Sequence, residues 1–214
     1  MSTTPTSEAI KAAVAELGFY QIQDPTLGLR IEEMEKKGSQ RSISSEAGLE
    51  FCISNVVEDQ RIRTLLESFF RWCGLGYYQS IAEDQGHIFQ FRKGVGQPDI
   101  LLVQLWSKGS RVVYYGGSHL IPWFTVRAAN RLWEIPLAAL TREGIGGTEI
   151  FYEHGGLAIL DARVAFEMKH GSPITCGFAV QDQLKTWPKL VLPKSEESAR
   201  RVAELDTRTI GVHI

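Results

Sequence analysis

The sequence predicts a mainly β domain with an N-terminal α segment: a double-stranded β-helix, or jelly roll, flanked by helices. Three observations carry this. Apolar residues recur at helical spacing in the first third of the chain, and short apolar runs separated by glycine-bearing turns fill the rest. The pattern switches near Tyr77. Short strands at such spacing suit a jelly roll or a small barrel, in which paired sheets shield strand edges that would otherwise be left open.

The elements follow in order. After Ser7, a candidate N-cap, apolar residues at Ile10, Ala13, Val14 and Leu17 mark one helix face, and Gly18 supplies a stop. A weaker helix runs from Leu29 to Lys37 and ends at Gly38. The serine-rich stretch that follows, to Glu46, reads as a loop. The strongest helix carries Ile62, Leu65, Leu66, Phe69, Phe70 and Cys73 and stops at Gly74. Strands are expected at 77–81, 87–92, 100–105, 111–115, 133–137, 149–152, 157–161 and 174–180. Residues 194–205 are charged and read as helix, followed by an apolar tail at 210–214. Residues 1–76 thus form a helical segment packing on the sheet, and 77–214 the β-helix core with its C-terminal helix. Together they make one structural domain.

Bulk properties narrow the function classes. The 214 residues are 43% apolar and 22% charged, an ordinary globular balance. A net charge of −2 gives no reason to expect nucleic acid or an anionic membrane as partner. No apolar run is long enough to cross a bilayer, and the polar start lacks the layout of a signal peptide. Cys52, Cys73 and Cys176 show no C-x-x-C spacing, which suits reduced thiols in a cytoplasmic protein.

Two segments carry a resemblance. Arg111-Val-Val-Tyr-Tyr-Gly-Gly-Ser-His-Leu120 is a strand that closes on a Gly-Ser-His-Leu step. Gly155-Gly-Leu-Ala-Ile-Leu-Asp161-Ala-Arg163-Val-Ala-Phe166 is a glycine-led apolar strand that closes on an Asp-x-Arg step. In this order and separation they resemble the phytanoyl-CoA-dioxygenase-like family of iron(II)/2-oxoglutarate oxygenases. The resemblance covers roughly 77–180 and implies the jelly-roll fold.

The same resemblance implies a ligand set: a His-x-Asp or His-x-Glu pair, a distant histidine, and an arginine that clamps 2-oxoglutarate. His87 is followed by Ile-Phe, His119 by Leu-Ile, His154 by Gly-Gly, His170 by Gly-Ser, and His213 only by Ile214. No His-x-acid pair exists. His87 falls about where the first ligand would stand, with Phe89 in place of the acid. Counting from Asp161, the distant histidine's place falls at Phe166 and the arginine's at Cys176. A shift to His170 moves the arginine's place to Val180.

These substitutions imply a pseudoenzyme: a non-catalytic, oxygenase-like subunit. Such a subunit would stabilise or activate an oxygenase partner as a heterodimer, as in fungal secondary-metabolite biosynthesis. A homodimer is the alternative assembly. No metal or cofactor is expected in this chain, with iron and 2-oxoglutarate held only by the partner. Trp123, Phe124 and Trp133 are the interface candidates, each of which competes with a core role. A second reading is a metal-free cyclase or isomerase using His87, His119, Asp161 and Arg163 as acid–base groups. A third is an active oxygenase with an atypical ligand set. Gly144-Ile-Gly-Gly-Thr lacks the lysine of a phosphate loop and reads as a turn.

Overall fold

The structure, a computed structural model, describes residues 6–36, 42–205 and 209–214. The expected stop at Gly38 and the first part of the serine-rich loop lie outside them. Helices α1 (Ser7–Leu17), α2 (Pro25–Lys36), α3 (Glu46–Cys52) and α4 (Gln60–Phe69) occupy the first third. The short α5 (Leu137–Arg142) and α6 (Gln181–Leu184) and the longer α7 (Glu196–Leu205) follow.

The cap of α1 is Thr6 rather than Ser7: its hydroxyl accepts the Ala9 amide at 3.3 Å. Gly18 ends that helix at φ 86°, a left-handed conformation that costs glycine little. Pro25 opens α2, where its missing amide is no loss, and Asp24 accepts the Leu27 amide. Helix α2 therefore starts earlier than its apolar spacing suggests. It also passes very close to the turn at His154 and Gly155. A Cβ on Gly28 would strike the His154 carbonyl, and one on Gly155 would strike Gly28.

Helix α3 and the π-helical turn Ile53–Val57 were not anticipated. Ser45 caps α3 by accepting the Gly48 amide at 3.0 Å. Helix α4 buries Ile62, Leu65 and Leu66 as expected, but ends sooner. Phe70 turns extended at φ −122°, and Cys73 donates to the Thr209 carbonyl. Cys73 and Gly74 therefore begin a strand instead of ending a helix.

Twelve strands are described: β1 (Phe19–Gln23), β2 (Cys73–Ser80), β3 (Phe89–Gln90), β4 (Ile100–Trp106), β5 (Ser110–Tyr115), β6 (Val126–Arg127), β7 (Trp133–Glu134), β8 (Thr148–Tyr152), β9 (Gly156–Asp161), β10 (Ala165–His170), β11 (Ile174–Ala179) and β12 (Ile210–Val212). They form a first sheet ordered β1-β9-β4-β11-β2-β12 and a second ordered β6-β7-β3-β10-β5-β8. From β2 to β5 the chain alternates between the sheets, and from β8 to β11 it alternates back. The returning half pairs antiparallel with the outgoing half, as β2 with β11, β4 with β9 and β3 with β10. This is the expected double-stranded β-helix, with β1 and β12 added at the edges of the first sheet. The N-terminal segment thus also donates a strand.

Alternation along the strands sorts the core into layers. Leu101, Val103, Leu105, Leu157, Ile159 and Phe178 face the helices, with Val202 and Leu205 of α7 in the same cluster. Leu102, Trp106, Leu160, Tyr114, Phe166 and Met168 fill the space between the sheets. A third cluster, with Val113, Tyr115, Trp123 and Leu140, covers the outside of the second sheet.

Candidate functional site at the mouth of the sandwich

The places that the family resemblance assigns to metal ligands meet inside the fold. Phe89 on β3 and Phe166 on β10 stand directly opposite each other in register. Their relative exposures are 1% and 0%, and both belong to the inter-sheet cluster. Each buries a large ring, a contribution of about 1.5–3 kcal/mol. Cys176 lies elsewhere. It belongs to the layer under the helices, while its strand neighbours Thr175 and Gly177 alternate to the inner side. Burial beside Cys52 pushes the Cys176 thiol well up in pKa. Among the described residues, no group of three His, Cys, Asp or Glu converges on a point that could hold a metal ion. Among the described residues, the donors present do not make up the three-ligand set of an iron centre.

The two signature segments act as struts. Arg163 donates to Asp161 from its amide at 2.9 Å, from Nε at 2.8 Å and from Nη2 at 2.6 Å. Its Nη1 reaches the Gly96 carbonyl at 2.7 Å. Both side chains are buried, and the carboxylate hydrogen bonds push the guanidinium pKa up. The pair ties the β9–β10 corner to the loop before β4, and Phe91 and Arg92 donate to the Ala162 carbonyl at the same corner. Ser118 accepts the Ala165 amide at 2.8 Å. His119 is 3% exposed and donates from Nε2 to the Ala15 carbonyl in α1, leaving Nδ1 without a partner among the described residues. Its ring lies against Gly18, where a Cβ would collide with it and with Val164.

His87 is half-exposed and bonds Glu134 from Nδ1 at 2.8 Å, with Asp84 3.8 Å from Nε2. The Glu134 hydrogen bond, then the Asp84 charge, raise its pKa. The four residues expected to share acid–base work are therefore not assembled. Asp161 and Arg163 are spent on each other, His119 is anchored under α1, and His87 pairs at the surface. The interface candidates also separate. Trp123 is withdrawn into the outer cluster, its indole N–H donating to the Ser118 carbonyl at 2.7 Å. Phe124, 93% exposed, remains at the surface.

Trp133 belongs to a different place: a pocket of about 340 Å³ at the open end of the sandwich. Gly76 and Tyr77 of β2 form one side, with Phe91 and Arg92 beyond β3. Trp187 closes another side, and the hairpin of β6 and β7 brings Arg127, Arg131 and Trp133. The aromatic wall is continuous: Phe91 meets Tyr77 edge-on at 4.9 Å and Trp187 at 5.9 Å. Burial pushes the Tyr77 hydroxyl up to about 12. Arg92 is held by Asp99 at 2.7 Å and Gln183 at 2.6 Å. Lys93 and Arg127 both lie over the Trp133 ring, at 4.5 and 4.6 Å. Sequence reasoning missed Arg92, Arg127, Arg131 and Trp187. The available signal was an excess of cations interleaved with tryptophan between residues 92 and 133.

No protein-family model matches the chain, and no curated protein matches it. Solved structures do. AviO1 from Streptomyces viridochromogenes Tue57 superposes with a TM-score of 0.55 at 12% identity, covering 88% of this chain and 100% of that one. The epimerase SnoN, in complex with Fe3+, alpha ketoglutarate and nogalamycin RO, gives 0.55 at 10%, covering 81% and 83%. EctD from S. alaskensis, with 2-oxoglutarate and 5-hydroxyectoine, gives 0.51 at 10%, covering 86% and 80%. At such identities the likeness establishes the fold alone, the mainly β jelly roll with flanking helices.

It also corrects one expectation. The chain was expected to take no cofactor, yet structures built on this fold hold iron and 2-oxoglutarate. Lack of the sequence motif therefore does not establish a chain without cofactors. The narrower finding is that the described side chains form no three-ligand cluster. No helix is long and apolar enough to cross a membrane among the described residues.

Proposed function

We propose that this chain works through a partner: a subunit of the oxygenase fold that binds and supports an oxygenase carrying the complete His-x-acid and distant-histidine set. The observation that carries the reading is the facing pair Phe89 and Phe166. These buried rings stand where the resemblance would place an acid and a histidine. A surface is present as well. Phe124 is 93% exposed, with Leu120 at 61% and Val126 at 59% on the same short segment. A large aromatic left in water beside aliphatic neighbours suits an anchor for a second protein. Binding only the folded partner shifts that partner's folding equilibrium, so support needs no chemistry from this chain.

The test is co-expression with an oxygenase relative from the same cell that carries the full ligand set. The expected result is co-elution as a heterodimer, with higher soluble yield and turnover of the relative. Phe124→Asp should abolish co-elution while leaving the melting temperature of the isolated chain unchanged. The reading fails if light scattering finds only monomer or homodimer and the relative's turnover is indifferent to this chain. It also fails if the isolated chain consumes 2-oxoglutarate when supplied with iron(II), the behaviour of an oxygenase with an atypical ligand set.

A further inference from the structure

We propose that the mouth pocket binds a small organic anion, with a flat apolar body and one carboxylate or phosphate head. The inference is independent of the partner reading, because it concerns the isolated chain.

Charge is the first argument. Arg92, Arg127 and Arg131 line the pocket, and no Asp or Glu does. Arg92 is neutralised by Asp99. The nearest carboxylate on the hairpin, Glu134, is engaged by His87. Arg127, Arg131 and Lys93 have no ion-pair partner among the described residues. Two of these cations share the Trp133 ring, so like charges are crowded around one indole. A cleft lined by one sign of charge over low-dielectric walls concentrates the opposite charge. Arginine forks suit carboxylate and phosphate, which accept two parallel hydrogen bonds.

Backbone conformation is the second argument, and it is separate. Residues 129–131 form a three-residue hairpin loop, closed by the Ala128 amide donating to the Leu132 carbonyl at 2.9 Å. The third position of such a loop needs a positive φ and is normally glycine. Here it is Arg131 at φ 67°, the only positive-φ residue besides glycine among those described. An unfavourable backbone state is tolerated at the one loop position that points a guanidinium-bearing residue at the pocket. Strain kept at a lining residue is a mark of function.

Shape is the third. About 340 Å³ lies within the range of small-molecule sites, and Tyr77, Phe91 and Trp187 give a wall for a ring system.

The test is calorimetry of the isolated chain with three probes of one shape: 1-naphthyl phosphate, 1-naphthoate and neutral 1-naphthol. One-to-one binding of at least one anion is expected, weakened by added salt, with naphthol weaker by about tenfold or more. The two anions distinguish a phosphate site from a carboxylate site. Arg127→Ala and Arg131→Ala should each cost about tenfold, as expected for a charged hydrogen bond. Arg111→Ala, a cation on the Phe151 ring away from the mouth, should cost nothing. Arg131→Gly keeps the turn and removes the side chain with its guanidinium, so it should lose affinity while melting higher. Equal binding of naphthol, no binding of either anion, or full affinity in the Arg127 and Arg131 double variant would overturn the proposal.

Discussion

Phe89 and Phe91 stand two residues apart on one segment, yet they serve opposite regions of the molecule. Phe89 is sealed between the sheets against Phe166. Phe91 is half-buried and shows an edge to Tyr77 and Trp187 on the pocket wall. The interior is closed by rings where the resemblance puts metal ligands, and its buried polar groups include the Trp106, Tyr114 and Gln104 chain of hydrogen bonds. The mouth is open, aromatic and cationic. Strand alternation alone would put residues two apart on one face; the split arises because β3 ends at Gln90 and Phe91 turns to the Ala162 carbonyl. The difference here extends to charge, because the struts around the interior are neutralised pairs and the rim carries unpaired cations.

The contrast can be broken most severely from the closed side. Arg163→Ala leaves the Asp161 carboxylate buried without its partner. It should cost about 3–5 kcal/mol in denaturant unfolding. A loss under about 1 kcal/mol, the range of exposed pairs, would mean that the motif is no strut. Phe166→Ala should cost about 3–5 kcal/mol by leaving a cavity between the sheets. Phe91→Ala should show the reverse profile, with a clearly smaller loss of stability but weaker binding of 1-naphthyl phosphate by calorimetry. If both substitutions behave alike, interior and mouth are one compartment.

Arg131→Gly sharpens the comparison on the open side. Relief of the left-handed conformation should stabilise the chain by about 1–2 kcal/mol, read as a rise in melting temperature.

The smallest effect is expected at His87. Its folded-state pKa is raised by the Glu134 hydrogen bond. The stabilisation is therefore fully present below the unfolded pKa and lost as pH rises through the higher folded value. The pair is exposed, so the slope should be shallow. Glu134→Gln should remove it and return the His87 NMR titration toward the ordinary histidine range.

Much of the fold was legible in the sequence. The runs 100–105, 111–115, 157–161 and 174–180 are apolar and bounded by turn residues, and each is a strand within a residue or two. What escaped depends on distant partners. Phe19–Gln23 becomes a strand by pairing residue for residue with Leu160 back to Gly156. Residues 87–92 yield only the two-residue β3, because Phe91 and Arg92 both turn to the Ala162 carbonyl. The expected strand over 133–137 stops at Glu134, since Pro136 caps α5. The candidate site was legible in one half only. Counting from Asp161 reached Phe166, and Phe89 was read in place of the acid; the structure puts the two face to face. The mouth showed only as cations interleaved with tryptophan, because residues 92, 127, 131 and 187 meet only after the hairpin folds over β3.

Trp187 carries one more consequence. Its backbone is fixed from the far end of the chain: His213 donates from Nε2 to the Trp187 carbonyl at 3.2 Å, and the His213 amide bonds Leu75 in β2. The wall opposite the arginines therefore depends on residues that come after every buried one between the sheets in chain order. A nascent chain that stops at Ala179 would possess Phe89, Phe166 and both signature segments but no complete pocket. Ligand capture would then report that Trp187 and His213 have both been made and seated.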